Sequence, residues 1–312
     1  MVASPGREGE DSMIPIRHVV CPTDFSTFSE RSLRYAVLFA KWFGADLTVL
    51  FVLAGRRTPP DADSPWGSDT AMEPAARERL RARLEAFATP ARAAMLDVKT
   101  ELREGAVVAT ILAEARRIPD ALVVLGTHGL GGFENLVLGS VTEKVLRMAP
   151  CPVLTVPREP ERSAASAVPF GTVLCPVDFS ASSQAALAAA AGLAATAGAA
   201  LVAVHVLREL PETEAAGMVH FNVPEYRRLL EKEAADRLRD FVRTNASEAA
   251  ADARILCGKP YRRILHLAHE IVADLIVMGV QGRSAADLLL FGSTAHHVVR
   301  AAPCPVLTVR GA

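Results

Sequence analysis

Residues 126–140 read GTHGLGGFENLVLGS, and residues 279–293 read GVQGRSAADLLLFGS. Each runs glycine, two residues, glycine, nine residues, then Gly-Ser, while the residues between differ almost completely. The first stretch has five glycines in fifteen residues, yet its Phe-Glu-Asn-Leu-Val-Leu insert is unlike a flexible Gly/Ser linker. A skeleton that repeats while its filling changes marks a backbone shape that the chain needs twice.

The repetition extends outward in both directions. VVCPTDFS at 19–26 matches VLCPVDFS at 173–180, LTVLFVL at 47–53 matches LVAVHVL at 201–207, and APCPVLTV occurs at both 149–156 and 302–309. The offset is 154 residues for the first two pairs and 153 for the last and for the glycine stretch, with order preserved. A period this long is a duplicated domain and not a solenoid repeat. The expected organisation is a disordered tail over 1–13, a first domain over 14–157, a linker over 158–168 and a second domain over 169–312. The linker region is rich in proline, small residues and charge.

Within each half, short apolar runs alternate with helical patterns. In the first half, strand signals lie near 18–21, 47–53, 97–103, 121–125 and 152–156. Leu33, Ala36, Val37 and Ala40 form a helical stripe stopped by Gly44, and Thr27 with Glu30 suits a capping box for that helix. A long charged helix is expected over about 73–95. Alternating elements with solidly apolar strands predict an α/β fold, doubly wound, with a mostly parallel sheet covered on both faces.

The bulk composition excludes several classes. At 312 residues the length suits about two domains. The 34 basic and 35 acidic residues leave a net charge of -1, giving no reason to expect a nucleic-acid or membrane surface. Five cysteines, an odd number, do not form a disulfide framework. Residues 185–207 lack Asp, Glu, Lys and Arg, but the alanines and Gly198 read as a buried helix followed by a strand. With no signal-peptide pattern at the start, the expectation is a soluble cytoplasmic protein.

Ligands of open doubly wound sheets sit beyond the carboxyl ends of the strands, where strand order reverses. Asp24 and Asp178 follow the first strand of each half, and each glycine stretch follows the fourth. Gly139-Ser140 and Gly292-Ser293 open helices, whose N–H groups favour an anion; glycines let a backbone approach phosphate oxygens closely. A carboxylate facing such a loop suits a ribose hydroxyl or an adenine amine. The alternative is that the glycines serve tight turns and the aspartate caps the next helix.

PTDFS, the glycine skeleton and APCPVLTV together resemble the universal stress protein family, in its tandem form, over nearly the whole chain. The resemblance implies five parallel strands per half in the order 3-2-1-4-5, and an ATP site in each half; Mg²⁺ could arrive with the ATP, whose phosphates supply most of its ligands. It implies that Asp24 and Val52 contact the adenosine, that Pro22, Thr23 and Leu125 shape the pocket, and that Gly126, Gly129, Gly139, Ser140 and Val141 wrap ribose and phosphates. In the second half the matching residues are Asp178, Val206, Met278, Gly279, Gly282, Gly292, Ser293 and Thr294. It implies further that residues 152–156 pair with 305–309 inside one chain, leaving a homodimer and a protein partner open. A family aspartate is matched by Asp274, but Ala121 stands at its place in the first half.

No GxxxxGK[ST] occurs, so no P-loop lysine is indicated, and His128 of the first loop is Gln281 in the second. His296 and His297 are adjacent and diverge on a helix, which gives no metal-ligand spacing. The cysteines read as buried small hydrophobes, with Cys257 alone lacking a counterpart. Three readings stay open: an ATP-binding regulatory protein of the stress response, a slow ATPase or phosphotransferase, and an interaction protein with empty sites.

Overall fold

The structure is a computed structural model of the chain, and it describes residues 15–54, 73–127, 138–158, 170–208, 223–246, 250–281 and 291–311. The expected tail, and nearly all of the expected linker, lie outside the described residues. The first half runs β1 (His18–Thr23), α1 (Thr27–Phe43), β2 (Asp46–Ala54), α2 (Pro74–Ala93), β3 (Val98–Gly105), α3 (Val107–Arg117), β4 (Ala121–Gly126), α4 (Ser140–Met148) and β5 (Val153–Val156). The second runs β6 (Thr172–Pro176), α5 (Ala181–Ala197), β7 (Ala200–Leu207), α6 (Val223–Asn245), β8 (Ala251–Cys257), α7 (Pro260–Glu270), β9 (Leu275–Gly279), α8 (Ser293–Ala301) and β10 (Val306–Val309).

All ten strands form one sheet in the order β3-β2-β1-β4-β5-β10-β9-β6-β7-β8. Each half is therefore parallel in the order 3-2-1-4-5, as the resemblance implied. The halves meet through the antiparallel pair β5–β10, with Thr155 opposite Val306, Leu154 opposite Leu307 and Val153 opposite Thr308. Two buried hydroxyls reinforce the seam reciprocally: Thr155 Oγ1 donates to the Val306 carbonyl at 3.2 Å, and Thr308 Oγ1 to the Val153 carbonyl at 3.1 Å. Arg310 adds a one-sided link. Its guanidinium donates to the carbonyls of Leu146 and Arg147 at the end of α4, where helix carbonyls lack intrahelical partners and favour a cation.

The strands are apolar without alternation because both faces are covered. Val19 and Cys21 join the core beneath α1 and α2, while Val20 joins the core beneath α3 and α4. Each of these two cores continues across the seam, under α5 and α6 on one face and α7 and α8 on the other.

The cap of α1 lies one residue earlier than the Thr27–Glu30 box expected from sequence. Ser26 is the N-cap, its hydroxyl accepting from the Ser29 N–H, and Ser180 caps α5 the same way. The reason is Asp24, whose Oδ1 accepts the Ser26 N–H at 3.0 Å and so sets the turn that Ser26 closes. Gly44 and Gly198 end α1 and α5 in the left-handed conformation, at φ 62° and 63°.

The charge-free helix α5 is buried almost all round, with Ala186, Leu187, Ala190 and Ala191 fully covered. Among the described residues no helix is long and apolar enough to cross a membrane. Its first turn sits so close to β9 that a Cβ on Gly279 would lie 2.7 Å from Ser182 Cβ and 2.8 Å from the Ser182 carbonyl carbon. Glycine is required there by helix–sheet packing, independently of any ligand. Gly279→Ala should destabilise the chain by about 1–3 kcal/mol in denaturant unfolding without nucleotide present. No change in the midpoint would show that α5 can shift at no cost.

Candidate functional site

The crevice follows from β1 pairing with β4 and β6 with β9. In each half the chain leaves these neighbouring strands toward opposite faces of the sheet, and their carboxyl ends are where a doubly wound sheet takes a ligand. Pro22 and Thr23 end β1, Val52 lies near the end of β2, and Leu125 and Gly126 end β4. Gly139 precedes α4, which opens with Ser140 and Val141.

The Asp-Phe-Ser turn after the first strand is built alike in both halves. Asp24 Oδ1 accepts from the Ser29 hydroxyl at 2.6 Å besides the Ser26 N–H; Asp178 Oδ1 accepts the Ser180 N–H at 3.0 Å and its hydroxyl at 2.5 Å. One oxygen of each carboxylate thus holds the helix start, which realises the capping alternative at that atom. Between them, Phe25 and Phe179 take left-handed backbone, φ 61° and 63°, at a cost of about 1–3 kcal/mol each.

The ring contacts offset that cost. Phe25 stacks on Phe51 at 4.6 Å, meets Phe87 edge-on at 5.8 Å and lies 4.3 Å from the Arg83 guanidinium carbon. Phe179 has His205 at 4.6 Å, Phe241 at 5.4 Å and Arg237 at 4.2 Å. Aromatic pairs contribute about 0.5–1.5 kcal/mol and an exposed cation over a ring about 0.5–1 kcal/mol, so the box matches the strain. Arg83 and Phe87 come from the long charged helix α2, and Arg237 and Phe241 from α6, so these helices brace the aspartate turn.

The glycine stretches are closed at the neck by the same bond. The Gly139 N–H donates to the Thr127 carbonyl at 2.9 Å, and the Gly292 N–H to the Val280 carbonyl at 2.9 Å. The next residue along the sheet is also matched, Thr127 N–H to the Val156 carbonyl and Val280 N–H to the Val309 carbonyl, both at 3.0 Å. Gly129, Gly282 and His128 lie outside the described residues. Gly139 and Gly292 have φ of -56° and -59°, open to any residue, so their value is the absence of a side chain at the helix start.

In the second half these parts line an open cavity of about 740 Å³. Asp178, Val206, Met278, Gly279, Gly292, Ser293 and Thr294 all line it. Every second-half residue expected at the site, apart from Gly282, thus meets at one place. Gln281, the counterpart of His128, also lines it, as do His205, Arg208 and Phe291, which escaped the sequence reading. Their signal was the difference between halves: His205 replaces Phe51, and Arg208 replaces Ala54 at the same offset. His205 Nδ1 donates to the Val177 carbonyl at 2.7 Å, which orients the ring.

Two other residues singled out in the sequence stand elsewhere. Asp274 Oδ2 accepts the N–H groups of Gly171 and Thr172 at 2.7 and 2.9 Å, pinning the start of β6 at the opposite end of the strands. Cys257 donates to Glu231 Oε1 at 3.3 Å, where the first half has the ion pair Arg77–Glu104. No group of three or more His, Cys, Asp or Glu side chains suited to a metal occurs among the described residues.

The thiols are held protonated. Burial pushes Cys21 up to about 12 and Cys151 up to about 11, and raises Cys175 further. Burial first, and Glu231 second, also raise Cys257. Alkylation of the native protein near about pH 8 should therefore leave Cys21 and Cys175 unmodified, and denaturant should open both. Labelling of either in the native protein, read by peptide mass spectrometry, would contradict the burial described.

The sequence profile of the universal stress protein family matches residues 15–157 and again residues 169–310. A universal stress protein of Mycobacterium tuberculosis is 29% identical over 218 residues, covering 69% of this chain and 70% of its own length. A Thermus aquaticus universal stress protein is 38% identical over 141 residues, covering 45% of this chain and 99% of its own. A crystal structure of a universal stress protein from Archaeoglobus fulgidus superposes with a TM-score of 0.65 at 24% identity, covering 95% of this chain and 98% of that one. With two full family matches, a 3-2-1-4-5 sheet in each half and relatives of both single and double length, the chain belongs to the universal stress protein family as a tandem of two such domains.

Proposed function

We propose that the chain is an adenine-nucleotide-binding regulatory protein of the stress response, with one ATP site in each half and no catalytic role of its own. The observation that carries this reading is the second-half cavity. Its volume, about 740 Å³, falls in the usual range for small-molecule sites. Its lining combines apolar Val206 and Met278 with Asp178, the Ser293 and Thr294 hydroxyls and the start of α8. An apolar slot suits a purine, a carboxylate suits ribose hydroxyls or an exocyclic amine, and helix N–H groups with hydroxyls suit phosphate.

In the first half, Asp24, Val52, Leu125, Gly126, Gly139, Ser140 and Val141 occupy the corresponding places, with Pro22 and Thr23 beneath the aspartate turn, and would hold a second nucleotide. Bound ATP would supply oxygen ligands for Mg²⁺, so the protein needs no metal cage of its own. Binding without turnover is supported by the sequence, which has no GxxxxGK[ST] and so no P-loop lysine. A cytoplasmic setting agrees with five cysteines of which none forms a disulfide. Residues 14–157 and 169–312 would each be one nucleotide-binding unit, paired within the chain.

The test is to purify the protein without added nucleotide, denature it and resolve the supernatant by anion exchange against ATP, ADP and AMP. Bound ATP is the expected result, and Asp178→Ala should lower ATP affinity about tenfold or more by removing a charged partner. Mostly ADP would favour slow hydrolysis. No released nucleotide, followed by no heat on titration with ATP, would sink the reading in favour of a nucleotide-free interaction protein.

A further inference from the structure

We infer that the two halves differ in the charge they offer a nucleotide: the second-half cavity is the polyphosphate-retaining site, and Arg208 is the side chain through which it reads ligand charge. The inference rests on the adenine-nucleotide reading above and concerns selectivity between ATP and AMP.

The two halves share a scaffold, so matched positions can be compared directly. Arg208, immediately after β7, lines the cavity; its match, Ala54, ends β2. Lys259 is the N-cap residue of α7, next to cavity-lining Pro260; its match, Ala106, is the N-cap residue of α3. On the helix that receives the glycine stretch, Glu143 stands in the first turn of α4, where His296 stands on α8. Thr294 lines the cavity with a hydroxyl where α4 has Val141. Lys144 runs the other way: its match, His297, stacks on Tyr261 at 4.4 Å and donates to the Ser293 carbonyl at 2.7 Å.

The balance favours an anion in the second half. A first-turn carboxylate such as Glu143 already takes up the favourable field of the helix start, and it repels a second anion placed there. Arg208 brings a cation into the lining of the second cavity, and Lys259 stands next to cavity-lining Pro260, where the matched positions of the first half, Ala54 and Ala106, carry methyl groups. At a rim exposed to water, each unit of charge shifts the affinity for a polyanion by about threefold to tenfold at low salt, and salt screens the effect. AMP carries fewer charges than ATP, so the same cations discriminate between them. Arg208 adds five donors in a planar fork suited to phosphate, which Lys259 lacks.

The experiment isolates one site at a time. Ser140→Asp places a carboxylate at the start of α4 where a phosphate would sit, and Ser293→Asp does the same on α8. Acidic residues at a helix start stabilise the helix, so both variants should fold. Each is titrated calorimetrically with ATP and with AMP at about 50 mM and about 300 mM salt. The Ser140→Asp protein, with only the second site open, should bind ATP about tenfold tighter than the Ser293→Asp protein and lose more of that affinity in high salt. Adding Arg208→Ala to Ser140→Asp should weaken ATP about tenfold and AMP less than about threefold. Equal ATP-to-AMP ratios and salt dependences in the two single-site proteins would overturn the inference while leaving nucleotide binding intact. An unchanged ratio after Arg208→Ala would remove Arg208 from it. No heat with either nucleotide in the unsubstituted chain would overturn the nucleotide reading itself and this inference with it.

Discussion

The parallel pairing of β1 with β4, and of β6 with β9, is the constraint on which the rest depends. These strands are buried on both faces, so helices must cover both, and a chain that covers both must reverse direction across the sheet once. At that reversal, among the described residues, the connections leave the strand ends toward opposite faces of the sheet. Asp24 and Asp178 stand at the gap on one side and the starts of α4 and α8 on the other. The crevice is thus a topological consequence of apolar strands, and side chains only furnish it.

Two strained phenylalanines show how the furnishing is held. Phe25 and Phe179 give up favourable backbone to turn the chain from strand into helix. Rings from β2 or β7, and an arginine and a phenylalanine from α2 or α6, clamp them. The clamp links the aspartate turn to a helix whose other side faces water. The charge on α2 and α6 is therefore partly a structural device, with Arg83 and Arg237 bracing the turn.

The seam between the halves is economical. Three residue pairs of antiparallel ladder, two reciprocal threonine hydroxyls and Arg310 on the end of α4 join them, while both helical cores run through without a break. Symmetry at the seam coexists with divergence at the crevices. The seam must fit itself, so Thr155 and Thr308 face reciprocal demands. No such mutual fit ties the two crevices, and there Phe51 of one half stands where the other has His205, and Ala54 where it has Arg208.

The duplication, the α/β class and the paired site elements were legible in the sequence because they are written in local terms: apolar strand runs, helix-stopping Gly44 and Gly198, and a glycine skeleton repeated at fixed offset. The cap at Ser26 was misplaced by one residue, since a capping box reads only the helix and not the Asp24 side chain that sets the turn before it. The reason for Gly279 was hidden for a similar cause: its space is taken by Ser182, distant in sequence and adjacent only after α5 packs on β9. Asp274 was legible only as a match to a family aspartate, and the structure gives its role, pinning the start of β6 at the other end of the strands. By itself the sequence determined which segments become strands and helices and that each exists twice, because hydrophobic period and turn residues act over a few neighbours. Only tertiary structure decided which side chains share the cavity, which glycine is obligatory and which aspartate is structural, because those depend on distances between residues that the chain itself keeps far apart.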